Sequence, residues 1–177
     1  MLELIADIRA ALRSDCPYSA LALALTLPDI CSQVKEHTLN GKRELYADWF
    51  DTYVYHPYYK HEDVPKDKVS FFEFKGEYCY LLRCRFLHNG NTCINQNSGK
   101  IIVNISKFEL STTNIPGKHL DTVAIHSNAD NSDIYRLCSS ICDAAEQFYT
   151  SWPNKDDFEN HSIILADTKN EFQQFNR

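Results

Sequence analysis

The chain has 177 residues, of which 44% are hydrophobic and 24% charged, and it carries a formal net charge of -6. This length is enough for one hydrophobic core and short for two domains, and the composition excludes a disordered chain. The acidic balance disfavours general coating of nucleic acid, which depends on Lys and Arg neutralising phosphates, so any nucleic-acid site must be small and local.

The cysteines and the N-terminus bear on whether the protein is secreted, membrane-bound or cytoplasmic. The seven cysteines form neither a CxxC pair nor the regular framework of a small secreted protein, which predicts reduced core residues. The N-terminus mixes acidic residues into its apolar positions, as an amphipathic helix does and a signal peptide does not. No run approaches the roughly 20 apolar residues that a transmembrane helix needs. We therefore expect a cytoplasmic protein with no membrane partner.

Two helices are predicted near the N-terminus. The first should end near Ser14 and has its apolar face at Leu2, Ile5, Ile8 and Leu12. The second lies in the Ala- and Leu-rich stretch from Ser19 to about Val34. Because proline lacks an N–H and clashes with the preceding turn, Pro28 either kinks this helix or divides it into two.

A third amphipathic helix and a loop follow. Leu45, Trp49 and Tyr53, with Phe50 beside them, have helical spacing. The segment from Tyr55 to Lys68 contains two prolines and several charges, which predicts a loop. A further helix is predicted from about Gly76 to His88, ended by Asn89 and Gly90 as a C-terminal glycine cap.

The chain changes character after this helix. Ile101, Val103 and Ile105 alternate with polar residues, which predicts a small β hairpin or sheet inserted between about 93 and 126. A strong helix then runs from Ile134 to Phe148. We expect a mainly α (α+β) protein: a helical bundle with this β insertion, in a single domain over residues 1–153. Residues 154–177 are expected to form a partly flexible C-terminal extension.

The helix from Gly76 to His88 carries the most informative side chains. Arg83, Arg85 and His88 lie among apolar residues, and burying cations is costly without a partner or a task. Four residues separate Arg83 from His88. This spacing, on a predicted helix of an α-rich chain, resembles the signature of the HEPN-domain superfamily, and the chain is similar to small bacterial HEPN-like proteins.

The resemblance implies a fold and an activity. HEPN domains are helical bundles that typically dimerise so that their two motif helices meet, and many are metal-independent ribonucleases with the active site in that cleft. Arg83 and His88 would be catalytic, and Arg85 and Asn89 would bind substrate. No metal or other cofactor would be needed. By analogy, a role in phage defence or in a toxin–antitoxin system is implied. Cys84 occupies a position where many members carry Asn or another polar residue.

The implied chemistry is cleavage of RNA by its own 2′-hydroxyl. That hydroxyl attacks the adjacent phosphorus, so RNA rather than DNA is the expected substrate. An imidazole such as that of His88 can transfer protons near neutral pH, and the planar guanidinium of Arg83 can hold the phosphate. Residues five apart on a helix are separated by about 140° around its axis. For the two side chains to act on one phosphate, either the last turn unwinds at Asn89 and Gly90 or two copies of the helix meet, and the resemblance implies the second arrangement.

A noncatalytic alternative remains open. Arg83 and Arg85 could pair with acids such as Glu73, Glu77 or Asp48, while His88 caps the helix C-terminus. The protein would then be a protein-interaction or regulatory module whose helix packs against a partner.

Other candidate sites are weaker. The set His56, His61, Glu62 and Asp63 lacks the fixed spacing of metal ligands. The tyrosines at 53, 55, 58 and 59 favour packing over base stacking. Cys138 and Cys142 lie on the apolar face of a predicted helix, which favours core positions. Ser127 beside His126 has no nucleophile elbow.

Overall fold

The computed structural model describes residues 1–58, 75–90 and 134–161 with their side chains, and the backbone of several short strands elsewhere. The helices are α1 (Leu2–Arg13), α2 (Pro17–Ala24), α3 (Leu27–Lys35), α4 (Arg43–Phe50), α5 (His56–Tyr58), α6 (Gly76–Asn89) and α7 (Ile134–Ser151). A π-helical turn, Asp51–Tyr55, joins α4 to α5, and a 3-10 helix, Lys155–His161, follows α7. The prediction of a mainly helical protein is confirmed.

Short strands lie between the helices. They are β1 (Phe72–Glu73), β2 (Ile94–Ser98), β3 (Ile101–Ile105), β4 (Glu109–Ser111), β5 (Ala124–Ile125) and β6 (Asn131–Asp133). Strand β1 pairs antiparallel with β5, β2 antiparallel with β3, and β4 parallel with β6. Most of what would define a β insertion between about 93 and 126, its connections and side chains, lies outside the described residues. The insertion therefore stays a prediction.

Proline decides how the second predicted helix is built. The helix is divided into α2 and α3, with the break at Leu25 and Thr26. Pro28 lies in the first turn of α3, where its missing N–H breaks no helical hydrogen bond. The Thr26 hydroxyl donates to the Leu23 carbonyl at 2.7 Å and helps to close α2. Of the two predicted outcomes, division is the one observed.

The third predicted helix is longer than its spacing indicated. After α4 the chain continues through the π turn and α5 as far as Tyr58. The prediction that a loop begins at Tyr55 was therefore wrong, and residues 59–68 of that loop lie outside the described residues. Burial of Val54 and Tyr55 holds the extra turn.

Helix α7 lies at the centre of the core and packs on α1, α2 and α3. Its Phe148 ring meets Trp49 edge to face at 5.8 Å and Tyr53 at 5.2 Å between ring centroids. Tyr53 and Tyr55 thus contribute to packing, as predicted, whereas Tyr59 lies outside the described residues. Phe158 of the 3-10 helix joins the same core.

Most of the described cysteines are core residues. Cys31, Cys79, Cys138 and Cys142 are buried free thiols, and Cys84 is half-buried. Cys16 is exposed, so the prediction of a core position was wrong there: it precedes Pro17 in the turn between α1 and α2, which faces solvent. Cys93 lies outside the described residues. Among the described helices, none has the length and apolar character to cross a bilayer.

The N-terminal half of α6 packs closely on α4. A Cβ added at Gly76 would lie 2.2 Å from the Ala47 carbonyl oxygen, a distance that no side chain can tolerate. The Gly76 N–H donates to Asp51 Oδ1 at 2.7 Å. Further along the same contact, the buried Tyr46 hydroxyl lies 3.3 Å from Cys79 Sγ. Helix α6 is therefore fixed at its start.

We predict that Gly76→Ala destabilises the fold by about 2 kcal/mol or more, because the new methyl group must push α6 away from the backbone of α4. The matched control is Gly41→Ala. Its Cβ would meet the flexible end of Gln33 at 3.3 Å and Asp29 Oδ1 at 3.5 Å, an ordinary contact distance, so its effect should stay within about 0.5 kcal/mol. Urea unfolding followed by circular dichroism measures both. Equal effects of the two substitutions would contradict the close packing at Gly76.

Candidate functional site

The candidate site residues lie on the second half of α6. The helix ends at Asn89, and Gly90 follows in the left-handed conformation with φ 62°. The Gly90 N–H donates to the Phe86 carbonyl at 3.1 Å. Glycine adopts this conformation without the strain that a Cβ causes, so the predicted glycine cap is confirmed. The termination of the helix does not require His88.

Arg83 forms an ion pair with Asp29. Its Nη2 lies 2.6 Å from Asp29 Oδ2, with the Arg83 side chain 25% exposed and that of Asp29 13% exposed. Asp29 belongs to the first turn of α3, where the helix dipole favours a negative charge. The guanidinium carbon also lies 5.9 Å from the centroid of the Tyr80 ring. Arg83 thus has an ionic contact and a ring contact, and both restrict its orientation.

Burial disfavours the charged form of both side chains in this pair. Burial raises the pKa of the Asp29 carboxyl above its ordinary value, and the attraction and hydrogen bond of Arg83 oppose this only in part. Burial acts to lower the pKa of Arg83, but the attraction to Asp29, together with the influence of Cys84 and Tyr46, leaves it raised. The ionised carboxylate of Asp29 therefore depends on the guanidinium beside it.

The acid beside Arg83 is one that the sequence did not indicate. Of the acids named for that role, Glu77 pairs with Arg43 and Asp48 pairs with Lys35 at 2.7 Å. The side chain of Glu73 lies outside the described residues. No local pattern could have found Asp29, because α3 and α6 are far apart in sequence and come together only in the folded chain, where both pack on α4.

The other candidate residues occupy the last turns of α6. His88 and Asn89 are exposed, and Arg85 is half-buried. Among the described residues, no hydrogen bond, ion pair or ring contact joins Arg83 to His88. This agrees with their separation of about 140° around the helix axis. A single chain holds Arg83 against Asp29 and leaves His88 in solvent.

An apolar patch borders His88. Leu87 is 37% exposed, and Tyr18 of α2 is 66% exposed and stacks on the half-buried Phe86 with ring centroids 6.5 Å apart. We call Tyr18, Phe86 and Leu87 the α6 patch. It places apolar surface beside the exposed end of the motif helix.

The remaining candidates give no second site. Among the described residues, no three His, Cys, Asp or Glu side chains are placed to hold a metal ion. His61, Glu62, Asp63, His126 and Ser127 all lie outside the described residues. A cleft of about 190 Å³ lies between the end of α3 and the 3-10 helix, lined in part by His37 and His161, and α6 does not border it.

Comparisons with protein-family models, with curated proteins and with solved structures found no match to this chain. The function is therefore argued from the site itself.

We predict that Arg83→Gln lowers the free energy of unfolding by about 2 kcal/mol at neutral pH, because it leaves the Asp29 carboxylate, whose side chain is only 13% exposed, without its cation. Asp29→Asn combined with Arg83→Gln should cost less than Arg83→Gln alone. Together with the single variants, these form a double-mutant cycle that gives the coupling free energy of the pair. The control is the same cycle for Lys35 and Asp48. The Asp48 side chain is 63% exposed, so the coupling free energy of that pair should be below about 1 kcal/mol. Equal coupling in the two cycles would show that the Asp29 pair is an ordinary surface pair.

The cost of Arg83→Gln should also depend on pH. Removing Arg83 removes the influence that lowers the pKa of Asp29, so the folded-state pKa rises further above the unfolded value. A raised carboxyl pKa means that stability is lost as the pH rises through that pKa and regained as it falls. The difference in urea midpoint between wild type and Arg83→Gln should therefore shrink from neutral to acidic pH. A difference that is constant or grows would contradict this.

Proposed function

We propose that the protein is a metal-independent endoribonuclease of the HEPN type, active as a homodimer through α6. The observation that carries the proposal is an arginine held in a fixed orientation by Asp29, on the same helix as an exposed histidine, His88. The resemblance of the motif implies a helical bundle, and the described part of the chain is mainly helical. In its finer form the fold would be a HEPN-like bundle over residues 1–153 with the β insertion, followed by the extension over 154–177.

The chemistry requires a proton acceptor, a proton donor and a cation. In the dimer, the neutral imidazole of one His88 accepts the proton of the 2′-hydroxyl as its oxygen bonds to phosphorus. The 5′-oxygen leaves and takes a proton from the imidazolium of the second copy of His88. Arg83 stabilises the charge that develops on the phosphate oxygens. The products are a 2′,3′-cyclic phosphate and a free 5′-hydroxyl.

A dimer is needed because the helix separates the two groups. With Arg83 and His88 about 140° apart on one helix, a phosphate that reaches both must lie between two copies of α6. The α6 patch supports this arrangement, since it places apolar surface beside His88 that a second copy can cover. Arg85 and Asn89, on the same turns, are proposed to contact the RNA backbone. A role in phage defence or as a toxin follows from the family analogy alone.

One observation favours the noncatalytic alternative. The Arg83 guanidinium already has an anionic partner in Asp29, so its charge is partly neutralised before any phosphate arrives. In an interaction or regulatory module the same pair would serve only to hold α6 against α3, and the α6 patch would bind another protein.

RNA cleavage in the presence of EDTA tests the proposal. We predict that the wild type cleaves total RNA or tRNA in chelator and that His88→Ala abolishes this with the fold intact, since the proton-transfer group is gone. His56→Ala removes another exposed histidine, on α5, and should cleave as the wild type does. Circular dichroism and thermal unfolding check the fold of each variant.

Three outcomes separate the alternatives. Cleavage by His88→Ala equal to the wild type indicates a contaminating nuclease and rejects the ribonuclease. No cleavage by the wild type also rejects it. In that case, weaker self-association or partner binding by Leu87→Ser, measured by sedimentation velocity, would support the interaction module. Cleavage of a substrate with a 2′-deoxy sugar at the scissile position would contradict attack by the 2′-hydroxyl.

A further inference from the structure

We propose that Asp29 is a positioning residue for Arg83, fixing the guanidinium in the orientation in which it meets the scissile phosphate. This inference rests on the proposed ribonuclease function and extends the site beyond α6 to the first turn of α3. Nothing in the motif of α6 indicates this residue.

The geometry of the pair supports positioning. One terminal nitrogen of Arg83, Nη2, is held by Asp29 Oδ2 at 2.6 Å. The other terminal nitrogen, Nη1, lies 3.9 Å from Cys84 Sγ, so contacts at two nitrogens restrict the plane of the guanidinium. Each terminal nitrogen carries two N–H groups, so a second donor on each is left for a phosphate. The Tyr80 ring, 5.9 Å from the guanidinium carbon, limits rotation on another side. The side chain remains 25% exposed, which leaves part of it within reach of a ligand.

The anchor itself is rigid. Asp29 is on α3, which packs on α4 and α7, and its side chain is only 13% exposed. A free arginine side chain loses about 2 kcal/mol of rotamer entropy when it is ordered. An arginine that is already ordered by a second helix does not meet this cost when the transition state forms, and displacement of such a group by about 1 Å can lower a rate roughly 100-fold.

Removing Asp29 has opposite expected effects depending on what the reaction needs from Arg83, its orientation or only its charge. The carboxylate partly neutralises Arg83, so if charge alone mattered, Asp29→Asn would strengthen phosphate binding and would not slow the reaction. If orientation matters, the variant binds RNA as well as or better than the wild type and reacts more slowly. We therefore expect kcat to fall about 10- to 100-fold with KM unchanged or lowered.

The experiment compares Asp29→Asn with a matched control, Asp51→Asn, at equal amounts of folded protein in EDTA. Asp51 also bonds α6, but through the Gly76 N–H at its opposite end. A structural role alone would leave kcat per folded molecule unchanged in both variants. Positioning predicts that only Asp29→Asn lowers kcat. Should Asp29→Asn fail to fold, Asp29→Glu keeps the charge, displaces the anchor by one methylene, and should lower kcat in the same direction.

The outcomes distinguish this inference from the proposed function. If the wild type cleaves RNA, His88→Ala does not, and Asp29→Asn and Asp29→Glu retain the wild-type kcat, the ribonuclease stands and the positioning role is overturned. If the wild type does not cleave RNA, both are overturned. An equal loss of kcat in Asp51→Asn would also overturn the positioning role, since the effect would then reflect only how α6 packs on the rest of the fold.

Discussion

The close contact between α6 and α4 at Gly76 determines where the motif helix can lie. The start of α6 rests directly on the Ala47 backbone, with no room for a Cβ, and its first N–H is bonded by Asp51. The Tyr46 hydroxyl donates to the Leu25 carbonyl at 3.1 Å, which links the same contact to the end of α2. Because α6 is held at this end, the register of the helix carries Arg83 to α3.

The ion pair of Arg83 with Asp29 has two separate effects, one on the stability of the fold and one on the orientation of Arg83. Removing a carboxylate from water is costly, and the raised pKa of Asp29 shows that the arginine does not fully offset that cost. A pair of apolar side chains would hold α3 and α6 together at lower cost. Such a pair would not, however, fix the plane of a guanidinium. The presence of charge here is better explained by the direction that it gives to Arg83 than by the energy that it contributes.

The helices could be predicted from the sequence because the residues that start, continue and end a helix act locally. The periodicity at Ile5 and Ile8, the proline at 28 and the glycine at 90 each act within one or two turns, and the structure follows them. Asp29 could not be found this way, because its partner is determined by two helices that both pack on α4. The helical extension to Tyr58 was missed for a related reason: burial of Tyr55 outweighed a local composition that is typical of a loop.

Electrostatics sets a further requirement on the proposed reaction. The C-terminal end of a helix carries roughly half a negative charge, and Asp29 cancels much of the charge of Arg83. A phosphate beside one copy of α6 therefore meets little net attraction from these groups. The proposed reaction therefore needs further positive charge, which the imidazolium form of His88, exposed on the last turn, would supply. In the proposed dimer, the proton of the His88 imidazolium then has two roles. Its charge attracts the phosphate to the cleft, and the proton itself is transferred to the leaving oxygen. Binding and proton transfer would be coupled through the protonated copy of His88.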